Sequence, residues 1–214
     1  MNLYQNPQFY ALLCVLILGA QFVWLRLPKN KKTTGEQAGY MIDMLFSFCT
    51  AVAVGTLLHL YPGNHLYPTG DSAAFIYIGK QMITGKMPYL DCFDHKGPLL
   101  YLIQLAGLAI GKGSTNGLWA VEVLNMAFTL LLMTKFCFLA SKRRSSVWLA
   151  LLIAFVVCGW RIYEGGNFTE EYALPWISLA LLVFSISFER GTTENWILFS
   201  WELLLRLCSC FAQI

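Results

Sequence analysis

The sequence predicts an all-α protein that crosses a membrane several times, and two observations support this prediction. Hydrophobic residues make up 57% of the 214-residue chain and charged residues only 13%, whereas soluble domains carry about 25% charged residues. The apolar residues also form long runs instead of the narrow stripes of soluble amphipathic helices. A formal net charge of +3, scattered along the chain, does not favour nucleic acid as a partner.

The first two apolar runs are predicted to be transmembrane helices. Run 9–25 is followed at once by the basic residues Arg26, Lys29, Lys31 and Lys32. A cleaved signal peptide carries its positive charges before the apolar region, so this order favours a span whose C-terminal end is cytoplasmic. The second run, about 40–60, is long enough to return to the external side.

The polar stretch 61–97 is therefore predicted to be external, and two topologies compete for the apolar run 98–111 that follows it. This run has about 14 residues, whereas a spanning helix needs about 20. If it spans, the basic cluster 142–144 behind the next run, 117–140, lies outside, against the positive-inside rule. If it is an interfacial or re-entrant helix, the cluster is cytoplasmic. We therefore predict a juxtamembrane helix at 98–111.

The remaining runs complete a single predicted transmembrane domain over residues 1–214. Run 147–160 returns outward, the segment 161–172 forms a second external loop, and run 173–188 goes back in. The last run, 196–212, is a marginal span because it carries a glutamate and an arginine, although their i, i+4 spacing lets them pair on one helix face. We expect a multi-pass protein of the plasma membrane with both loops on its external side.

Asp71 is the first candidate for chemistry, because it opens a predicted helix in the first external loop. Helical spacing of apolar residues extends over 72–84, and Gly85 is a typical helix stop. The apolar residues of this stretch are Ala74, Phe75, Ile78, Met82 and Ile83. We expect them to face the membrane surface, which would hold Asp71 at headgroup level, where a lipid-linked reactant lies. Capping of the helix is an alternative explanation for Asp71.

A second polar group directly precedes the proline-started helix 98–111. It consists of Asp91, Asp94, His95 and Lys96. A lysine at a helix N-terminus is unfavourable with the helix dipole unless an anion is also present. Helix amides and the ammonium group together would hold a phosphate or diphosphate. The alternatives are a solvated lysine and, for His95, an ordinary surface residue instead of a base or ligand.

The second external loop adds Glu170 and Glu171, which cannot both face Asp71 from one helix. One of them could form an acid–base pair with Asp71 or share a divalent cation with it; the sequence requires no cofactor. Asn167 begins a glycosylation sequon, a weak three-residue signal. Glu122 lies near the external end of its span, where its side chain is expected to reach the membrane surface.

Three features together resemble one family of membrane enzymes. They are the helix-preceding Asp71, the stretch GKMPYLDCFDHKGPL that ends at Leu99, and the later GNFTEE of the second loop. With them the chain resembles the GT-C fold glycosyltransferases, in particular the dolichyl-phosphate-mannose-protein mannosyltransferase-like and aminoarabinose-transferase-like group of bacteria. The resemblance covers roughly residues 40–190.

The resemblance implies a glycosyltransferase that takes a sugar from a polyprenyl-phosphate-linked donor on the outer face of the cytoplasmic membrane. The acceptor would be a cell-envelope glycan, lipid or protein. Asp71 matches the family's catalytic acidic residue, and Lys96 matches the lysine that contacts the lipid phosphate. The site residues expected on this basis are the catalytic Asp71, Glu170 and Glu171 and the substrate-binding Asp94, His95 and Lys96.

The chain departs from the family pattern at two places. Ser72 stands where many relatives have a second carboxylate, and KGP replaces KPP after His95. Relatives are longer, so the chain is expected to correspond to their N-terminal half, as a fragment or an inactive remnant. Two other functions stay open: a non-catalytic membrane protein that binds or moves a lipid-linked sugar, and a chain without activity of its own.

Overall fold

The computed structural model describes residues 36–64, 68, 70–141, 165–190 and 202. In these residues the chain is helical and forms no strand, apart from an isolated bridge between Pro88 and Cys92. The helices of this part are α1 Glu36–Gly55, α2 Gly70–Ile83, α3 Pro98–Ile110, α4 Asn116–Ser141 and α5 Thr169–Arg190. The predicted all-α class is confirmed for them. The predicted spans 9–25 and 147–160 lie outside the described residues, as does 196–212 apart from Glu202.

Two of these helices are long and apolar enough to cross a membrane. They are the 22-residue segment Asn116–Cys137 of α4 and the 20-residue segment Thr169–Phe188 of α5. At a rise of about 1.5 Å per residue, each reaches about 30 Å, the thickness of the hydrocarbon core. The apolar parts Met44–Gly55 of α1 and Pro98–Ile110 of α3 are shorter. The larger number of crossings expected from the sequence stays a prediction.

The packing of α4 against α5 includes a hydrogen bond at a proline. Pro175 lies inside α5, and because proline has no N–H it cannot bond the carbonyl of Glu171, four residues earlier. The side-chain amide of Asn125 on α4 donates to this carbonyl, with an Nδ2–O distance of 2.8 Å. An unsatisfied carbonyl is costly in an apolar environment. Asn125 therefore joins α4 to α5 where α5 lacks its own bond.

The C-terminal end of α1 packs against the N-terminal half of α4. The Trp119 indole donates to the carbonyl of Gly55, the last residue of α1, over 2.9 Å. Gly55 allows this approach, because a Cβ there would lie 2.5 Å from Cγ2 of Val123. The buried apolar cluster between the helices consists of Ala51, Val54, Leu58, Val123, Met126 and Leu130. The two helices therefore run antiparallel.

Helix α2 corresponds to the predicted helix 72–84 and ends at the expected glycine. The N–H of Gly85 bonds to the carbonyl of Met82, and the N–H of Lys86 bonds to that of Gln81. With Gly85 in the left-handed conformation, at φ 88°, this is a Schellman motif. The motif stops the helix and starts the loop that leads to α3.

The apolar face of α2 packs inside the protein. Phe75 and Ile78 are buried together with Leu100 and Tyr101 of α3 and Tyr172 of α5. The prediction that Phe75 and Ile78 face the membrane surface was wrong, because α3 and α5 supply an apolar partner within the chain. Sequence periodicity shows that a face is apolar but not what covers it.

Helix α3 has 13 residues, which gives it a length of about 20 Å. It begins with Pro98, a residue suited to the first turn of a helix, and turns back directly into α4. Its C-terminal half packs against the start of α4. The backbones of Gly107 and Gly117 lie so close there that a Cβ on Gly117 would collide with the Gly107 carbonyl oxygen. The length agrees with an interfacial helix at 98–111, whose position relative to a membrane stays a prediction.

The bond between Asn125 and the Glu171 carbonyl predicts a double-mutant result. Asn125→Ala leaves that carbonyl unsatisfied, and we expect it to lower the free energy of unfolding by about 1–2 kcal/mol. In a Pro175→Ala background the new N–H can bond the same carbonyl, so Asn125→Ala should cost clearly less. Thermal unfolding of the wild type, both single variants and the double variant in detergent measures this coupling. Equal costs in the two backgrounds would contradict the role given to Asn125.

Candidate functional site

A cavity of about 370 Å³, lined by both polar and apolar side chains, lies between α2 and the loop that joins α2 to α3. Its volume falls in the range of small-molecule sites, about 300–1,000 Å³. The lining residues are Asp71, Ala74, Phe75, Tyr77 and Ile78 from α2 and residues 91–96 from the loop. The cavity thus brings Asp71 together with Asp94, His95 and Lys96, which the sequence nominated from separate segments.

Asp71 lies exposed in the first turn of α2. A carboxylate in this turn interacts favourably with the helix dipole. The structure records no hydrogen bond to its side chain from another described residue. The Asp71 carboxylate is therefore available to a ligand in the cavity.

Asp91, in contrast, is engaged by the loop itself. One of its carboxylate oxygens, Oδ2, accepts the N–H of Met87 at 2.8 Å. Tyr89, with φ at 69°, donates its N–H to the Cys92 carbonyl at 2.8 Å and its hydroxyl to the Lys96 carbonyl at 2.6 Å. These bonds hold the loop in one shape and set the wall of the cavity.

Asp94 and His95 form a local pair on that wall. Oδ1 of Asp94 accepts the backbone N–H of His95 at 2.6 Å and lies 3.1 Å from His95 Nδ1. Burial and the nearby Asp94 carboxylate raise the pKa of Tyr101, which is fully buried in α3. The same two causes raise the pKa of Tyr89. Both phenols are therefore neutral near pH 7.

Lys96 lines the cavity two residues before Pro98, the first residue of α3. The N-cap of α3 is Gly97, and no side chain accepts a hydrogen bond from the first turn. Pro98 has no N–H, and the N–H of Leu100 bonds to the Gly97 carbonyl at 3.3 Å. Of the first three residues of α3, only Leu99 therefore has an N–H left for an acceptor outside the helix. The Lys96 ammonium is the group on this wall that is suited to an anion.

The two glutamates of the second loop lie apart from this cavity. Glu170 is exposed, and its Oε2 accepts the hydroxyl of Thr169 at 2.9 Å. Glu171 is only 3% exposed, and its Oε2 accepts the backbone N–H of Asn167 at 2.9 Å. Neither lines the cavity with Asp71. Within the described segments, no group of three or more His, Cys, Asp or Glu side chains is placed to hold a metal ion.

The second loop reaches α2 through a buried hydrogen-bond network that sequence reasoning missed. Nδ2 of Asn167 donates to Oγ of Ser72 at 2.9 Å and to Oε1 of Gln104 at 3.3 Å. Oδ1 of Asn167 accepts from Nε2 of Gln104 at 2.5 Å and from the Tyr172 hydroxyl at 2.9 Å. Because Ser72 directly follows Asp71, this Asn167 network holds the turn that carries Asp71.

The sequence features of this network suggested other roles for its residues. Asn167 is fully buried, so the side chain is out of reach for the glycosylation that its sequon suggested. Its φ of 64° is left-handed, a conformation that asparagine adopts more readily than most residues. Gln104, a polar residue within the apolar run of α3, was the other signal.

Glu122 also differs from its expectation, because it is fully buried instead of reaching the membrane surface. Gly166 of the second loop packs against it, so closely that a Cβ on Gly166 would lie 2.7 Å from Glu122 Oε1. Among the described residues, neither carboxyl oxygen has a hydrogen-bond partner. Exposure of Glu122 was expected from its position near the end of its helix. The loop that covers it is distant in sequence, so its burial could not be predicted from the helix alone.

The described residues define a helical protein with two helices long and apolar enough to cross a membrane and a cavity between α2 and the following loop. The chain belongs to the family described as "Putative competence-induced protein Ccs4 N-terminal domain", which it matches over residues 29–203. No curated protein and no solved structure matches the chain. The family description names no reaction, so the resemblance to glycosyltransferases stays a prediction.

The Asn167 network predicts a large loss of stability on truncation. Asn167→Ala leaves Ser72, Gln104 and Tyr172 without their shared partner, and we expect a loss of at least about 2 kcal/mol. Asn167→Gly removes the same bonds but tolerates the positive φ, so it should be about 1 kcal/mol less destabilised than Asn167→Ala. Thermal unfolding in detergent measures both. An Asn167→Ala protein that unfolds at the wild-type temperature would show that the network does not hold these elements together.

Proposed function

We propose that this protein is a membrane glycosyltransferase that moves a sugar from a polyprenyl-phosphate-linked donor to an acceptor hydroxyl on the external face of the plasma membrane. The observation that carries the proposal is the cavity in which Asp71 meets Asp94, His95 and Lys96. A possible base and a possible phosphate-binding group that line one ligand-sized space are what such a transfer needs. The resemblance of the first external loop to GT-C enzymes adds the reaction.

In the proposed reaction, Asp71 is the general base. It takes the proton of the acceptor hydroxyl while that oxygen attacks the anomeric carbon of the sugar. The bond from this carbon to the phosphate oxygen breaks, its electron pair leaves with polyprenyl phosphate, and the anomeric configuration inverts. Asp71 suits this role because its carboxylate has no hydrogen bond from a described residue, whereas those of Asp91 and Asp94 are engaged.

Lys96 and the start of α3 would receive the leaving group. The lysine ammonium would offer positive charge, and the Leu99 N–H a donor, where the phosphate gains negative charge. Asp94 and His95 would bind the substrate on the same wall. In this proposal Lys96 would interact more strongly with the charge that develops in the transition state than with the intact donor, which is the condition for a catalytic effect.

The glutamates of the second loop have separate proposed roles. Glu170 is exposed but does not line the cavity, so its proposed role, to position an acceptor or bind a divalent cation, would be exerted outside the cavity. Glu171 is buried and accepts the Asn167 N–H, so it would act on the site by holding the second loop. This division follows from burial and leaves the base role to Asp71.

A pair of isosteric variants tests the base. Asp71→Asn should lower release of sugar from polyprenyl-phosphate-linked glucose by about 100-fold or more, because the amide cannot take a proton. Donor binding should survive. Asp91→Asn is the matched control, since its amide oxygen can still accept the Met87 N–H, and it should keep near wild-type turnover. Near wild-type turnover in Asp71→Asn would exclude Asp71 as the base. If the wild-type protein itself bound the donor but released no sugar, the result would favour a non-catalytic binder.

Neutralising Lys96 tests the leaving-group role. Lys96→Gln should lower kcat by about 10²–10³-fold, the usual effect of removing a transition-state charge partner, and Lys96→Arg should restore part of it. Lys112→Gln removes a lysine that is exposed at the other end of α3 and should leave turnover unchanged. Steady-state rates at saturating donor measure all three. If Lys96→Gln changed only KM, Lys96 would stabilise the bound donor and the transition state equally. It would then not act on the leaving group.

A further inference from the structure

Two buried carboxyl groups, one on α4 and one on α5, contact the same short turn of the second loop. Gly166 packs so closely on Glu122 that a Cβ on this glycine would lie 2.7 Å from Glu122 Oε1. The next residue, Asn167, donates its backbone N–H to Oε2 of Glu171 at 2.9 Å. Adjacent residues of one turn thus contact both carboxyl groups, which lie within electrostatic range of each other. We call Glu122 and Glu171 the buried acid pair.

The two members of the buried acid pair differ in their hydrogen bonds. Glu171 has a backbone donor at Oε2, and its Oε1 has no partner among the described residues. Glu122 is fully buried and has no such partner at either oxygen. A buried carboxylate is costly unless N–H donors or a cation compensate its charge. Glu171 is therefore the better carboxylate of the two, and Glu122 is the better neutral acid.

The groups that face the buried acid pair add no ion pair to it. Tyr172 of α5 lies within electrostatic range of both glutamates and donates its hydroxyl to Asn167. From the segment after α1, the ring of His59 packs against Gly165, next to the turn that covers the pair. Within the described residues, neither glutamate forms a salt bridge. Two like charges in such a place disfavour each other, and binding of one proton removes one of them.

We propose that the buried acid pair is a proton-binding site in which Glu122 takes a proton from solvent and is a neutral acid at pH 7, while Glu171 stays a carboxylate and holds the Asn167 N–H. The proton gives Glu122 an O–H donor and leaves one negative charge under the turn. Its loss would place two charges there and favour opening of the turn to water. Because Asn167 also bonds Ser72, protonation of α4 is coupled to the turn that carries Asp71. This proposal does not rest on glycosyl transfer.

Infrared spectroscopy of the full chain in detergent tests the bound proton directly. A protonated carboxyl group has a C=O band that a carboxylate lacks, and exchange into D₂O shifts this band. We expect the band in the wild type at pH 7, its loss in Glu122→Gln, and its retention in Glu171→Gln, whose amide oxygen can still accept the Asn167 N–H. The exposed Glu170 supplies the matched control, because Glu170→Gln should leave the band unchanged. A wild type without the band would overturn the proton site, and a band that survives in Glu122→Gln would overturn the assignment to Glu122.

The pH dependence of stability gives a second measurement. The unfolded chain loses the Glu122 proton above about pH 4.3, whereas the folded chain keeps it to higher pH, so the free energy of unfolding falls as pH rises through this window. The folding equilibrium constant of the wild type, divided by that of Glu122→Gln, should fall by up to about tenfold per pH unit. Urea titrations in detergent from pH 5 to pH 9 measure it. A ratio that is constant with pH would contradict the proposal, as would a fall that disappears when both proteins carry His59→Gln.

Hydrogen exchange measured by mass spectrometry tests the coupling to the second loop. Above the pH at which the infrared band disappears, peptides that cover residues 165–172 should take up deuterium faster in the wild type than in Glu122→Gln. Below that pH the two proteins should exchange equally, and peptides from residues 129–137 of α4 should match at both. Comparison at one pH cancels the intrinsic pH dependence of exchange. Equal uptake of the loop in both proteins on both sides of the transition would refute the coupling.

Discussion

The structure around the cavity depends on the fully buried side chain of Asn167. Its amide joins Ser72 of α2, Gln104 of α3 and Tyr172 of α5 in one network. Its backbone N–H is taken by Glu171, whose carbonyl is bonded in turn by Asn125 of α4. Polar bonds therefore run continuously from the start of α2 to the middle of α4. Apolar contacts would tolerate small sliding of the helices, but a buried amide with three partners permits one arrangement only.

This arrangement also explains why the carboxylates near the cavity are not equivalent. Asp91 is engaged by the Met87 N–H and Asp94 by the His95 N–H, so both contribute to loop shape. Asp71 has no such partner among the described residues, although the next residue, Ser72, is held by Asn167. Its backbone is thus positioned while its side chain stays available. A reactive group on a firmly held element is the usual condition for a functional site.

Local chemistry in the sequence was enough to predict the elements but not their partners. Gly85 and Pro98 place the end of α2 and the start of α3, because a left-handed glycine and a first-turn proline act within a few residues. Asp71 and Lys96 were each predicted separately, at two helix starts, and only the resemblance to GT-C enzymes assigned them to one site; the cavity brings them together. The burial of Phe75 and Glu122 could not be predicted, since each is covered by residues far away in the chain. Asn167 was misjudged for the same reason: a sequon can be read locally, whereas three buried partners cannot.

The charge balance of the cavity bears on the choice between an enzyme and a binder of lipid-linked sugar. A binder of an anionic phosphate would use Lys96 and would gain nothing from Asp71 in the same space. Like charges in one site disfavour the bound anion. The hydrogen bonds to Asp91 and Asp94 offset part of their repulsion, but Asp71 has no bond of this kind from a described residue. A carboxylate that lines the same cavity as Lys96 would be a disadvantage for binding a phosphate and an advantage for removing a proton from an incoming hydroxyl. This asymmetry is the reason for proposing Asp71 as a base.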